Sequence, residues 1–244
     1  MTSSKLVYIL AIGVFGILNT EMGIIGVLPY IATQYNISLI QAGSLLSVFA
    51  LGVALAGPTM PLLLSKWPRK PLMLFVLAVF TITSILAAWA PNFETLFIAR
   101  LVPALLHPVY CAMAFSLAAS SVAKKDAPKA VAKINMGVAA GMVIGIPISN
   151  FLTIQLGLSF AFLFSALVTA LVFALTLWQI PDSLPHEQIS YGEQLQVLRK
   201  VSLWLAIFFV IALNGSIYGV YNYYVWRYMF SRSGYYYFYR TAPI

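Results

Sequence analysis

Glu21 has the strongest chemical potential in this sequence because of where it stands. It lies in the stretch FGILNTEMGIIGVLPY, residues 15–30, which closes an apolar run beginning at Leu6. A run of that length crosses a bilayer, which takes about 20 residues. A carboxylate inside it is costly unless compensated, so it points to ion pairing, binding or proton transfer. Arg100 and His107 stand in another apolar run, seven residues apart and so on one helical face. At 1.5 Å per residue, Glu21 is about 13 Å from the Tyr30 end of its run, and Arg100 about 10 Å from the Phe93 end of its own. Similar depth allows an ion pair or a shared water cavity. The alternative is structural, with Arg100 donating to backbone carbonyls and Glu21 carried neutral. His107 is open to two readings in the same way, a proton relay or a hydrogen-bonded packing residue.

The other polar residues within apolar runs are Asn19, Thr20, Ser44, Ser47 and Asn150, and they are candidates to line a polar cavity. Pro103 and Pro108 should kink the helix that carries Arg100 and His107. Gly137, Gly141 and Gly145 recur every four residues before Pro147, a spacing that lets a neighbouring backbone approach closely. The segment Ser65-Lys66-Trp67-Pro68-Arg69-Lys70-Pro71 is a basic loop between two apolar runs. No metal-ligand set, phosphate-binding glycine loop or catalytic triad stands out, so the sequence does not read as an enzyme. The single cysteine, Cys111, excludes an intramolecular disulfide.

These residues need membrane helices to position them. Hydrophobic residues make up 61% of the 244 and charged residues 8%, and mean hydropathy is +0.92. A soluble domain carries about 25% charged residues, so this is an integral membrane protein. The net charge of +8 sits in short loops between spans, a topology signal and not a nucleic-acid patch. Seven helical spans are expected, at 6–30, 42–64, 72–90, 93–121, 130–155, 158–180 and 201–226. Lys5, Lys66, Arg69, Lys70, Lys124, Lys125, Lys129, Lys133, Arg199 and Lys200 all fall on one side of that topology. The N-terminus and the even-to-odd loops are therefore cytoplasmic. The division expected is a six-helix bundle over 1–180, a cytoplasmic linker over 181–200, a seventh span over 201–226 and an atypical tail over 227–244.

Thr20-Glu21, Gly26-Val27-Leu28-Pro29, Ile31-Ala32, Ala42-Gly43, Phe49-Ala50-Leu51-Gly52 and Pro58 resemble the N-terminal half of major facilitator superfamily exporters. The nearest branch is the bacterial drug:proton antiporters of the sugar and arabinose efflux type. The resemblance covers about 6–180 and is weaker in the seventh span. The Ser65–Pro71 segment is similar to the signature loop between the second and third spans. It keeps the basic Arg-Lys-Pro end and lacks the usual acid at 65 and glycine at 68. Arg100 matches the arginine of the fourth-span signature, with Pro103 and Ala104 in place of Gln-Gly. Gly137, Gly141, Gly145 and Pro147 look like the antiporter motif of the fifth span.

The resemblance implies an all-α membrane protein, a six-helix bundle of two inverted three-helix repeats plus a seventh transmembrane helix, with substrate bound between two halves. It implies secondary active transport, namely proton-coupled efflux of small solutes such as drugs or sugars across the inner membrane. Glu21, Arg100 and His107 would couple protons, and Asn19, Thr20 and Asn150 would line the substrate cavity. Ser65, Lys66, Arg69 and Lys70 would form the gating loop. No cofactor and no nucleic acid is implied; the partners are a small-molecule substrate, protons and the lipid bilayer. The rival expectation is a truncated, inactive fragment, a half-size carrier that homodimerises, or an assembly subunit needing a partner. Its sequence support is the tail, where Arg227, Arg232 and Arg240 fall on the external side against the positive-inside bias. A missing C-terminal half would leave the chain unable to transport alone.

Overall fold

The computed structural model describes residues 3–180 and positions 201, 204–205, 208–209, 211–213, 215–216 and 219–220, the latter all helical. The linker 181–200, the tail 227–244 and much of the expected seventh span lie outside the described residues. Eight helices follow in order: α1 (Ser3–Met22), α2 (Leu28–Gln34), α3 (Leu39–Ala56), α4 (Met60–Leu63), α5 (Arg69–Ala88), α6 (Phe93–Ser120), α7 (Ala127–Leu156) and α8 (Leu158–Gln179). The chain divides into two compact units, Met1–Gln188 and Ile189–Ile244, and all eight helices belong to the first. Six helices among the described residues are long and apolar enough to cross a membrane, the first running from Ser4 to Gln34 through a 3-10 segment.

The differences from the expected spans have local causes. The first span is not one α-helix, because Gly23–Val27 tightens into 3-10 geometry before Pro29 restarts the helix as its second residue. The second begins at Leu39, earlier than expected, because Ser38 and Gln41 form a reciprocal capping box that satisfies two end amides. It stops at Ala56, where Pro58 and Pro61 withdraw two amide donors, and α4 is a separate short turn. Asn92 caps α6 by accepting from the Thr95 amide at 2.9 Å. Between α7 and α8 the chain turns at Gly157, whose φ of +103° is a conformation that residues with a Cβ rarely adopt.

The first span is the centre of the bundle and the most enclosed of the six. α1 packs mainly on α7, α3 on α6, and α5 on α8. Lipid tails are as apolar as leucine, so helix association here depends on close packing. The α1–α7 seam supplies it through small residues. A Cβ on Gly137 would run into the Ala11 carbonyl, and one on Gly141 would lie 2.8 Å from Leu18 Cβ and 2.9 Å from the Phe15 carbonyl. One on Gly145 would meet the Asn19 side chain. Two apolar clusters fill the rest. One surrounds Leu10, Val14, Ile17, Met73, Phe80 and Tyr110, and the other surrounds Ile31, Leu45, Leu96 and Leu158.

Two glycine substitutions should therefore move stability in opposite directions. Gly137→Ala should destabilise the bundle by about 1–3 kcal/mol, the range for overpacking against atoms that cannot yield. Gly43→Ala, at a helical position with nothing within 4 Å of the added carbon, should be neutral or stabilise by up to about 1 kcal/mol. Thermal unfolding in detergent measures both, and equal effects would remove the α1–α7 seam as the tight contact.

Candidate functional site

The site is built where α1 ends. At Met22 the first span passes from α-helix to the 3-10 segment Gly23–Val27, a change of hydrogen-bond step that leaves carbonyls available to other donors. Arg100, on α6 and only 3% exposed, takes two of them. Its Nη1 donates to the Thr20 carbonyl, and its Nη2 donates to the Glu21 carbonyl at 3.0 Å. The guanidinium carbon also lies 4.7 Å from the ring centroid of Phe49 on α3, within cation–π range. Its Nε is buried with no hydrogen-bond partner.

The Glu21 carboxylate goes elsewhere. Its Oε2 lies 3.0 Å from Nε2 of His107, with the two side chains 18% and 12% exposed. Of the two readings open for Arg100, its contacts follow the one in which it donates to backbone carbonyls, at residues 20 and 21, while the Glu21 carboxylate meets His107. Arg100 and His107 share a face but are two turns apart, and Glu21 spans that gap with its main chain at one end and its side chain at the other. The His107 ring packs at 81° to Phe49 with centroids 5.9 Å apart. Cys111, one turn along α6, places its Sγ 3.9 Å from the same Nε2. The Nδ1 of His107 is buried and unpartnered.

The other expected residues are spread around this centre. Asn19 is fully buried and donates from Nδ2 to Ser165 Oγ on α8 at 3.0 Å, and its Oδ1 has no partner. Thr20 bonds back to the Gly16 carbonyl at 3.0 Å. Both line a space of about 10 Å³ with Gly23, Ser149 and Ser165, room for one water at most. Asn150 is half-buried on α7 near Gly26 and lies outside that lining. Gly137, Gly141 and Gly145 face α1, and Pro147 is exposed. Ser65 and Lys66 sit in the turn before α5, and Arg69 and Lys70 open that helix. Trp67 packs against Phe75 beside them with the rings tilted by 51° and centroids 6.2 Å apart. Sequence reasoning assigned no role to Phe49, Cys111, Ser149 or Ser165. The four-residue step from His107 to Cys111 was a usable signal, whereas nothing local marks Phe49 or Ser165 as neighbours of α1.

A match to the Major Facilitator Superfamily runs over residues 10–241. The inner membrane transport protein YdhP of Escherichia coli strain K12 is 40% identical over 129 residues, which is 53% of this chain and 33% of that protein. A chloramphenicol resistance protein of Streptomyces lividans is 29% identical over 130 residues, again 53% and 33%. Among solved structures, a bacterial homolog of the human lysosomal transporter Spinster, inward-facing and unoccupied, superposes with a TM-score of 0.62. The identity is 19%, covering 76% of this chain and 44% of that one, so the likeness is one of fold. The chain spans about a third of the length of the curated relatives it matches.

The geometry makes a checkable distinction between the two partners of Glu21. In double-mutant cycles on thermal stability, Glu21→Ala should couple to His107→Ala by about 0.5–3 kcal/mol, the range for residues in contact. Coupling of Glu21→Ala to Arg100→Ala should be smaller, because truncating Glu21 keeps its carbonyl. Arg100→Ala alone should cost about 1–3 kcal/mol for each carbonyl left unpaired. The reverse order of coupling would return the carboxylate to Arg100.

Proposed function

The chain belongs to the major facilitator superfamily, a multi-pass membrane protein, and from that premise we propose that it serves proton-coupled export of small solutes. Glu21 is the carboxylate that takes up and releases the proton, and His107 is its partner. Arg100 holds the broken end of α1 in place while that exchange occurs. The observation that carries this reading is the 3.0 Å contact between Glu21 and His107 on two different spans, since intramembrane ionisable pairs mark ion and proton pathways. Protons arriving from outside neutralise Glu21 and release His107, the solute leaves, and rocking of helical halves resets the pair. One relative is a chloramphenicol resistance protein, which supports amphipathic drugs as the solute class. The positive-inside bias of the basic loops supports an N-terminus on the cytoplasmic side of an inner membrane.

The space beside Asn19 and Thr20, about 10 Å³, is far below the roughly 300–1,000 Å³ of a drug-sized site. We therefore place the solute between this bundle and a second set of helices, supplied by a C-terminal half or a second copy of the chain. Asn19, Thr20 and Asn150 then face the solute only in a conformation that opens the α1–α7 seam. The loop of Ser65, Lys66, Arg69 and Lys70 gates the cytoplasmic side.

Vesicles that hold the chain with its second helical half test the coupling. A proton gradient should drive solute exchange, Glu21→Gln should abolish that exchange at near-normal expression, and His107→Gln should reduce it strongly. Undiminished pH-driven exchange in Glu21→Gln would leave the carboxylate a structural role. Orientation is tested separately with Ser183→Cys in a Cys111→Ser background. The new thiol should be shielded from impermeant maleimide in intact cells and label after lysis, and ready labelling from outside would invert the topology.

A further inference from the structure

A second cavity, of about 420 Å³, lies at the other end of α1 and is not used by the proposed coupling. Its walls are apolar, with Val7 on α1, Val122 beyond α6 and Ala130 on α7, and its polar rim is Asp126, Lys129 and Lys133. Two lysines thus share the lining with one carboxylate, and Lys124 and Lys125, just before it in the chain, lie outside that lining. No ion pair neutralises Lys129 or Lys133 among the described residues. Lys133 instead places its Nζ 4.7 Å over the ring of Tyr8. Tyr8 is 53% exposed and Ile12, one turn deeper on the same side of α1, is 45% exposed. An apolar track therefore leads from the basic rim along the helix toward the bilayer interior.

We propose that this cavity binds the headgroup of an anionic phospholipid of the phosphatidylglycerol type. The phosphate diester lies against Lys129 and Lys133, whose unpaired ammonium groups supply the charge. Glycerol hydroxyls donate to Asp126, and an acyl chain runs past Tyr8 and Ile12. A soluble phosphate would satisfy the lysines and gain nothing from the apolar wall and track. Basic pockets between membrane helices on the cytoplasmic side take such headgroups, and the positive-inside reading puts this rim in that leaflet. Occupancy would tie the start of α1 to the start of α7, the two helices joined by the glycine seam. The inference stands apart from proton coupling.

The test is native mass spectrometry of the full chain released from mixed lipid micelles, with phosphatidylglycerol, phosphatidylethanolamine and phosphatidylcholine offered equally. Phosphatidylglycerol should be retained several-fold over the others. The double substitution Lys129→Gln and Lys133→Gln should lower that retention roughly tenfold or more, given the worth of each lysine near an anionic membrane surface. Lys124→Gln with Lys125→Gln removes the same charge from outside the cavity and should leave retention near wild type. Equal loss in both pairs would reduce the effect to general surface charge and overturn the site. Equal retention of phosphatidylethanolamine would overturn the anionic assignment, by placing an ammonium against Asp126. Glycerol phosphate is added to the unsubstituted chain as a further arm, so the outcome does not hang on folding of the variants. Displacement of the lipid at equal concentration would assign the cavity to a soluble anion instead.

Discussion

The contact on which the rest of this bundle depends is the one between Arg100 and the broken end of α1. A guanidinium 3% exposed at membrane depth is untenable without acceptors. Backbone carbonyls at a change of helical step are equally untenable without donors in hydrocarbon. Here each supplies what the other lacks, through Nη1 to Thr20 and Nη2 to Glu21. The match sets the depth of α6 against α1 and the rotation of α1 about its own axis. Once that rotation is set, the Glu21 side chain can reach only the part of α6 that carries His107. Phe49, from α3, lies against both the Arg100 guanidinium and the His107 ring.

The glycine seam serves the same constraint from the other side of α1. Gly137, Gly141 and Gly145 let α7 approach the backbone at Ala11, Phe15 and the side chain of Asn19. Asn19 then has its Nδ2 committed to Ser165 of α8, so one residue of α1 reads the positions of both neighbours. Such packing replaces the hydrophobic drive that soluble bundles enjoy and membrane bundles lack. Its cost in tolerance is concentrated at those three glycines, whereas Gly43 has open space.

The spans themselves were legible because hydrophobic length is a property of the sequence alone. Their ends depend on side-chain chemistry at single positions. The Ser38–Gln41 capping box lengthened one helix, and Pro58 with Pro61 cut it short. The 3-10 segment was not read, although Gly23 and Gly26 stand within the stretch that drew attention to Glu21. Depth put Glu21 and Arg100 at similar levels, and the seven-residue step put Arg100 and His107 on one face of a helix. They left open which atoms meet, because rotation of one span about its axis relative to another is a tertiary quantity. A seven-residue step also separates Arg100 from His107 by about 10 Å along the axis. The reading in which Arg100 donates to backbone carbonyls was open from the sequence, but nothing in the spacing says which carbonyls it takes. Phe49 and Ser165 carry no local mark of their neighbours, being ordinary apolar and small polar residues.

Arg100 and His107 answer to different parts of Glu21, and under the proposed exchange they would respond differently to a proton. Arg100 is held by carbonyls, whose acceptor strength is indifferent to a proton on the side chain. It keeps the same geometry whether Glu21 is charged or neutral. His107 is held by the carboxylate, so its contact weakens when that group is protonated. The same Nε2 also has Cys111 Sγ at 3.9 Å. Pro103 and Pro108 bracket His107 within α6, each removing a main-chain donor and loosening the helix on one side of the ring. In the proposed exchange, protonation of Glu21 would therefore be felt first as a movement of His107 between those two prolines. Phe49 would pass it to α3, since that ring packs against the partner that shifts and the partner that stays.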